Sequence, residues 1–318
     1  MKPVERNERR EKYLKLMERA AGAGAIRVAV AHPCDEVSLE GAMEAAKLGL
    51  IKPVLIGPQA RIRDLAAKFG LDLAGIEIID APHSHAAAAM AVELVRRGEA
   101  EAVMKGSLHT DEVMGAVVAR DTGIRTARRI SHCFIMDVPS HAEPLLITDA
   151  AVNIAPTLKD KVDITQNAID LARALGATEV RVAILSAMET VNPDVPSTLD
   201  AAALCKMADR GQITGGVLDG PLALDNAISP EAAAVKNIVS PVAGRANVLV
   251  VPDLEAGNML AKSLSFLAGA DCAGIVLGAK VPIILTSRAD SLEARLASCA
   301  VANLFAAARR NQAALAIR

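Results

Sequence analysis

Four short stretches hold residue types that can do chemistry. In VPIILTSRADS, residues 281–291, an apolar run ends on Ser287-Arg288 and a helix-like segment starts at once. A hydroxyl, a guanidinium and free helix N-terminal amides then meet at one point, which suits a phosphate or an acyl oxygen. The same letters also read as capping, Ser287 with Asp290 and Asp290 with Glu293, and the pattern alone favours that reading. In EAVMKGSLHTDEV, residues 101–113, a strand passes through Gly106-Ser107 and His109-Thr110 into a helix. Strand, small loop and helix make an anion cradle, though without the lysine spacing of a Walker loop. Asp111 and Glu112 suit the helix dipole but would repel a phosphate if they faced it, and Thr110 also reads as an ordinary N-cap. GIRTARRISH carries Arg125, Arg128 and Arg129, either charge for a coenzyme's phosphates or a neighbouring subunit, or a solvated turn. In GVLDGPLALDNAISP, residues 216–230, Asp219-Gly220 end a strand and Asp225 precedes a helix, as a base or a cap.

Other chemistries find little support. His32, His83, His85, His109, His132 and His141 form no H-E-x-x-H. His83 and His85 could chelate only on an extended segment, and residues 82–97 read as a helix, so no catalytic metal is expected. Cys34, Cys133, Cys205, Cys272 and Cys299 are scattered, with no C-x-x-C pair, so neither a zinc nor a redox motif is expected. That usage fits a reducing, cytoplasmic compartment. A net charge of −2 and 2% aromatic residues provide neither the electrostatic footprint nor the stacking surface for nucleic acid. The start, MKPVERNERREKYLKLMERA, has no apolar core of a signal peptide, and no uncharged run reaches the ~18 residues a membrane span needs.

The elements that must position these residues alternate. A chain of 318 residues exceeds what one core usually organises. IRVAVAH, KPVLIG, GIEIID and EAVMKG read as strands separated by helix-length segments, which predicts a mainly parallel sheet. The glycines of AGAGA precede the first strand, so they are not a dinucleotide fingerprint. ISHCFIMDV and PLLITDA follow with no helix between them and predict either an antiparallel pair or a crossing between domains. A second alternating set runs through VRVAILSA, ITGGVLDG, NVLVVPD and CAGIVLG, and VPIILTS with a last helix from about 290 closes the chain. The expected division is a charged helix and joint over 1–24, a first α/β domain over 25–145 plus 279–318, and a second over 146–278.

Taken together, MKGSLHTDEVMGAVV, RTARRISHCFIMDVP, LLITDAAVNIAP, DGPLALDNAI, VAGRANVLVVPDLEAGNMLAKSLSFLAGADCAGIVLGAK and LTSRADS resemble the phosphate acetyltransferase and phosphate butyryltransferase family. The likeness runs from about residue 26 to the end, and GIRTARRISH and LTSRADS look closer to the butyryltransferases. The resemblance implies two mainly parallel three-layer α/β domains with an interdomain cleft, similar to isocitrate and isopropylmalate dehydrogenases, in a homodimer. It implies direct, reversible transfer of an acetyl or other short acyl group between coenzyme A and inorganic phosphate. Coenzyme A is then a substrate, with no cofactor, no metal, no nucleic acid and no membrane involved. Ser287 would sit near the thiol and the tetrahedral centre, and Arg288 would hold phosphate. Gly106, Ser107, His109 and Thr110 would contribute phosphate contacts, with Thr110 the best matched. Arg128, Arg129, Asp225 and Gly278 complete the implied substrate-binding set.

Two positions depart from the family pattern. The carboxylate expected on the helix after the Ser-Arg pair falls on Ala294, with Glu293 beside it and Asp290 nearer the pair. Gly115 stands where many members place an arginine that serves coenzyme A, so Arg125, Arg128 or Arg129 is the expected substitute. Rival readings are a longer or branched acyl preference, a non-catalytic acyl-CoA-binding domain, and a dehydrogenase, for which no metal-binding aspartates or nicotinamide site stand out.

Overall fold

The computed structural model describes residues 6–287 and 290–316. The chain begins with α1 (Arg6–Gly22), β1 (Ile26–Ala31), α2 (Glu36–Lys47), β2 (Ile51–Gly57), α3 (Gln59–Phe69), β3 (Glu77–Asp80), α4 (Ser84–Arg96), β4 (Ala102–Lys105) and α5 (Thr110–Val118). Next come β5 (Ser131–Asp137), β6 (Leu145–Thr148), α6 (Leu158–Ala174), β7 (Arg181–Leu185), α7 (Pro196–Asp209), β8 (Val217–Leu222), α8 (Leu224–Ile228), α9 (Pro230–Val235), β9 (Val248–Val250) and α10 (Leu254–Leu267). β10 (Asp271–Leu277), β11 (Ile283–Ile284) and α11 (Leu292–Ala316) end it. The chain forms two compact units: Arg129–Cys272, and the described chain up to Arg128 with everything from Ala273 onward.

In the unit built from the two chain ends, the strands lie in the order β3-β2-β1-β4-β11-β10. Neighbours are parallel except β10, which runs antiparallel to β11. Five of the six residues of β1 are buried, as expected of a strand covered on both faces. α1, α11, α2 and α3 pack in succession, and α4 packs on α5 and on β1 and β2, which makes two helix layers. Ile26, Leu39, Leu50, Leu55, Ile56, Ile62 and Met104 fill the core. The helix ends follow local chemistry. Asp35 caps α2 by accepting the Ser38 N–H at 2.9 Å, and His83 caps α4 by accepting the Ala86 N–H at 3.2 Å. His83 and His85 therefore stand at a helix start, as the spacing suggests. The charged α1 is more than a surface helix: it packs on α11 and buries Met17 and Ala20.

The Arg129–Cys272 unit has the order β5-β6-β9-β7-β8. β5 and β6 are antiparallel, and the remaining pairs are parallel. Thr157 and Asp160 form a reciprocal capping box at α6, and Pro196 opens α7. Met136, Leu145, Ile147, Ala183, Leu185 and Leu249 share one core cluster. The units divide at Arg128/Arg129 and Cys272/Ala273, where the sequence pattern placed breaks at 145/146 and 278/279. The reason is pairing: β5 is hydrogen-bonded to β6, and β6 to β9, so β5 travels with the second set of strands.

Candidate active site

β1, β4 and β11 are parallel neighbours, so the residues that follow them emerge along one edge of the sheet. His32 follows β1, Gly106-Ser107 follow β4, and Thr286-Ser287 follow β11. The chain builds outward from β1 to β3 and then returns to β4 on the other side of β1. In open α/β sheets such a reversal marks where ligands bind, here the carboxyl ends of β1 and β4.

The two turns at those ends are in contact. The Gly106 N–H donates to the Ala31 carbonyl at 2.8 Å and the Ser107 N–H to the His32 carbonyl at 2.9 Å. A Cβ on Gly106 would lie 2.4 Å from the His32 carbonyl oxygen and 2.5 Å from that of Ala31, so only glycine fits. The Ser107 hydroxyl donates to the His32 carbonyl at 2.9 Å, accepts from the Cys34 N–H at 3.3 Å and lies 3.0 Å from His32 Nδ1. It thus ties the turns together. Burial, then the charge of Arg61, holds His32 below the usual histidine pKa, so its ring favours the neutral form. The Lys105 ammonium is buried and donates to the Gly106 and Leu108 carbonyls at 3.3 and 3.1 Å.

His109 is the N-cap of α5 and Thr110 its first residue, and both are exposed. Thr110 is therefore not the cap, and its hydroxyl has no partner among the described residues. Glu112 is turned to other work. One oxygen accepts the His109 N–H at 2.7 Å; the other accepts the Ser84 hydroxyl at 2.5 Å and lies 3.0 Å from His85 Nδ1. The Ser84 hydroxyl first, then the His109 amide, hold its carboxyl below the usual range. Gly115 faces open space on α5.

The turn after β11 is built from both sides. Asp290 accepts the Ser287 N–H at 2.6 Å and donates its own N–H to the Ser287 carbonyl at 3.2 Å. Half of the Ser287/Asp290 capping pattern is thus present, but Ser291 caps α11, accepting the Ala294 N–H at 3.2 Å. From the first turns of α11, Arg295 reaches back. Nη1 donates to Thr286 Oγ1 at 3.0 Å and Nη2 to the Ser287 carbonyl at 2.5 Å. Ser287 itself is exposed. Arg288 lies outside the described residues.

The other expected site residues sit on other segments of the chain. Gly278, in the left-handed region at φ 88°, accepts the Thr126 hydroxyl at 2.6 Å, and Arg125 bridges to Ala279. Gly278 and Ala279 precede β11, so this contact sits at the amino end of that strand, opposite Ser287. The cause is the β10–β11 turn, which reverses the chain before β11 begins. Arg128 is exposed, and its N–H donates to Thr126 Oγ1 at 3.1 Å. Arg129 and Asp225 belong to the Arg129–Cys272 unit. The Arg129 Nε donates to Asn153 Oδ1 at 2.6 Å, Nη1 lies 3.6 Å from Asp160, and its N–H donates to Asp163 at 2.8 Å. Its guanidinium thus helps hold the 149–153 loop. Asp225 is exposed on the first turn of α8, where Ala223 is the N-cap.

Three contributors escape a reading by motif: His32, Lys105 and Arg295. Arg295 left a trace in the sequence, since it lies on the same helical stripe as Cys299 and Asn303, which α11 buries. The Cys299 thiol is pushed up to about 12 by burial, so it packs as a small apolar group.

Residues 81–303 match a family model described as "Phosphate acetyl/butaryl transferase". The chain is 65% identical over 299 residues to a phosphate acetyltransferase of Rhizobium meliloti, covering 94% of this chain and 95% of that one. It is 42% identical over 280 residues to a phosphate butyryltransferase of Clostridium acetobutylicum, covering 88% and 93%. Among solved structures, a branched-chain phosphotransacylase from Enterococcus faecalis superposes with a TM-score of 0.77 at 30% identity, covering 88% of this chain and 99% of that one. The chain belongs to the phosphate acetyl/butyryl transferase family.

Proposed function

We propose that this protein is a phosphate acyltransferase that moves an acetyl group reversibly between coenzyme A and inorganic phosphate. The observation that carries this is the 65% identity, across 94% of the chain, to a phosphate acetyltransferase. The preference for acetyl rests on the same comparison, since identity to a butyryltransferase is 42%. In the synthetic direction the coenzyme A thiolate attacks the carbonyl carbon of acetyl phosphate. A carbon–sulfur bond forms, the carbon–oxygen bond to phosphate breaks, and phosphate leaves with its electron pair. Negative charge gathers on the carbonyl oxygen and the departing phosphate, and fixed donors stabilise it without reorganising. The turn that presents Ser287 beside the Gly106–Thr110 loop supports giving those donors to Ser287, Arg288 and the exposed Thr110. Holding both substrates at attack distance supplies much of the remaining acceleration.

We further infer a homodimer that works in the cytoplasm. Support for self-association is the exposed apolar side of α10, where Met259, Phe266 and Leu267 are 62%, 85% and 87% accessible. Among the described residues no helix is long and apolar enough to cross a membrane. The test of the reaction is phosphate-dependent thiol release from acetyl-, propionyl-, butyryl- and isobutyryl-CoA. Acetyl-CoA is expected to show the highest kcat/KM. A higher value for a butyryl thioester would transfer the assignment to that chain length, and release independent of phosphate would overturn it.

A further inference from the structure

Arg295 is 3% exposed, yet among the described residues no carboxylate pairs with it. Its two bonds go to neutral oxygens, the Thr286 hydroxyl and the Ser287 carbonyl, and its Nε is buried without an acceptor. A buried guanidinium in that state is costly. The fold makes room for it: Gly41 on α2 lies where a Cβ would come 3.3 Å from Arg295 Cδ. Its field reaches its surroundings, where it opposes the effect of burial on the Cys299 thiol. The positive end of α11 adds to the same region.

We propose that Arg295 is a positioning residue of the acyl-transfer site: it clamps the Thr286–Ser287 turn and sets beside it a positive charge that, among the described residues, has no ion-pair partner, the nearby Asp290 carboxylate being bonded to the Ser287 N–H instead. Resting on the function proposed above, that charge favours the coenzyme A thiolate and the leaving phosphate over their protonated forms. The clamp sets where Ser287 stands, and the charge sets how readily the thiol ionises, so the two effects are separable.

The experiment compares full-length wild type with Arg295→Lys and Arg295→Gln in acetyl phosphate plus coenzyme A. It measures kcat against pH and amide hydrogen exchange over residues 284–291. Arg295→Gln removes the charge, so the rising limb of the profile is expected to move up by about one pH unit. Arg295→Lys keeps the charge but not the two-pronged grip, so its limb stays in place. Exchange over the turn rises in that variant, and kcat falls about tenfold. A wild-type profile together with wild-type exchange in Arg295→Gln overturns the proposal. If that variant does not fold, Arg295→Lys decides: unchanged exchange and kcat overturn it. A wild type that forms no acetyl-CoA defeats the functional reading instead, and the exchange data still judge the clamp.

Discussion

At the scale of single residues, the turn after β11 separates two roles that its letters leave mixed. Asp290 grips the N–H of Ser287, not its hydroxyl, and an alanine keeps that N–H. Ser287→Ala keeps that grip, and kcat is expected to fall by ~10²–10³, the usual cost of one transition-state donor. KM values should change much less. A lower melting point with unchanged kcat would make the residue structural. Asp290 is occupied with the turn, and Glu293 stands in the first turn of α11, where a carboxylate suits the helix dipole. Asp290→Asn and Glu293→Gln should each lose less than about tenfold in kcat and keep both limbs of the pH–rate profile. A loss of ~10³ with a missing limb would identify that carboxylate as the general base. For Arg288 the expectation comes from its place in the family's Ser-Arg pair: Arg288→Ala should weaken phosphate use severely, seen as a raised phosphate KM in soluble protein.

At the scale of elements, the site depends on how closely β1 and β4 deliver their turns. Gly106 is the contact point, and the atoms it would strike are backbone oxygens that cannot swing aside. Gly106→Ala is expected to cost roughly 2–3 kcal/mol in chemical denaturation and to slow turnover by displacing the 106–110 loop. Denaturation midpoint and kcat measured on one preparation check this; a variant that keeps both would mean the turns separate freely. The strands, their order of appearance and the helix starts at Ser84 and near 290 were legible, because period and capping chemistry are local. The return of the last strand to the first domain was legible too, but not its place beside β4, which makes β1, β4 and β11 share an edge and depends on pairing across the length of the chain.

At the scale of the whole molecule, stability should depend on pH through His132. It is buried at 3% exposure with its ring edge on Phe134 and its Nδ1 unpartnered among the described residues. Burial pushes its pKa down to about 4, against the opposing charge of Asp149. Above about pH 6.5 the ring is neutral in both folded and unfolded chains and adds no pH dependence. Between about 6.5 and 4 the unfolded chain binds a proton that the folded one refuses, so stability falls as pH falls, by up to about 1.4 kcal/mol per pH unit. Melting temperatures of wild type and His132→Gln across that window should show a flatter slope in the variant. Equal slopes would assign the acid sensitivity to other groups.

The sequence by itself determined the alternation of strands and helices, the family, and the Ser287-Arg288 turn after a buried strand. These are carried by neighbours in the chain and by long matches in order. Tertiary structure alone decided which distant residues meet. It assigned the Ser107 hydroxyl to the β1–α2 turn, placed Gly278 and Arg125 at the amino end of β11, and gave Arg129 to the 149–153 loop. It also brought Arg295 under Ser287. No spacing rule reports such contacts, because burial and hydrogen-bond partners are set by packing across chain separations that local pattern does not register.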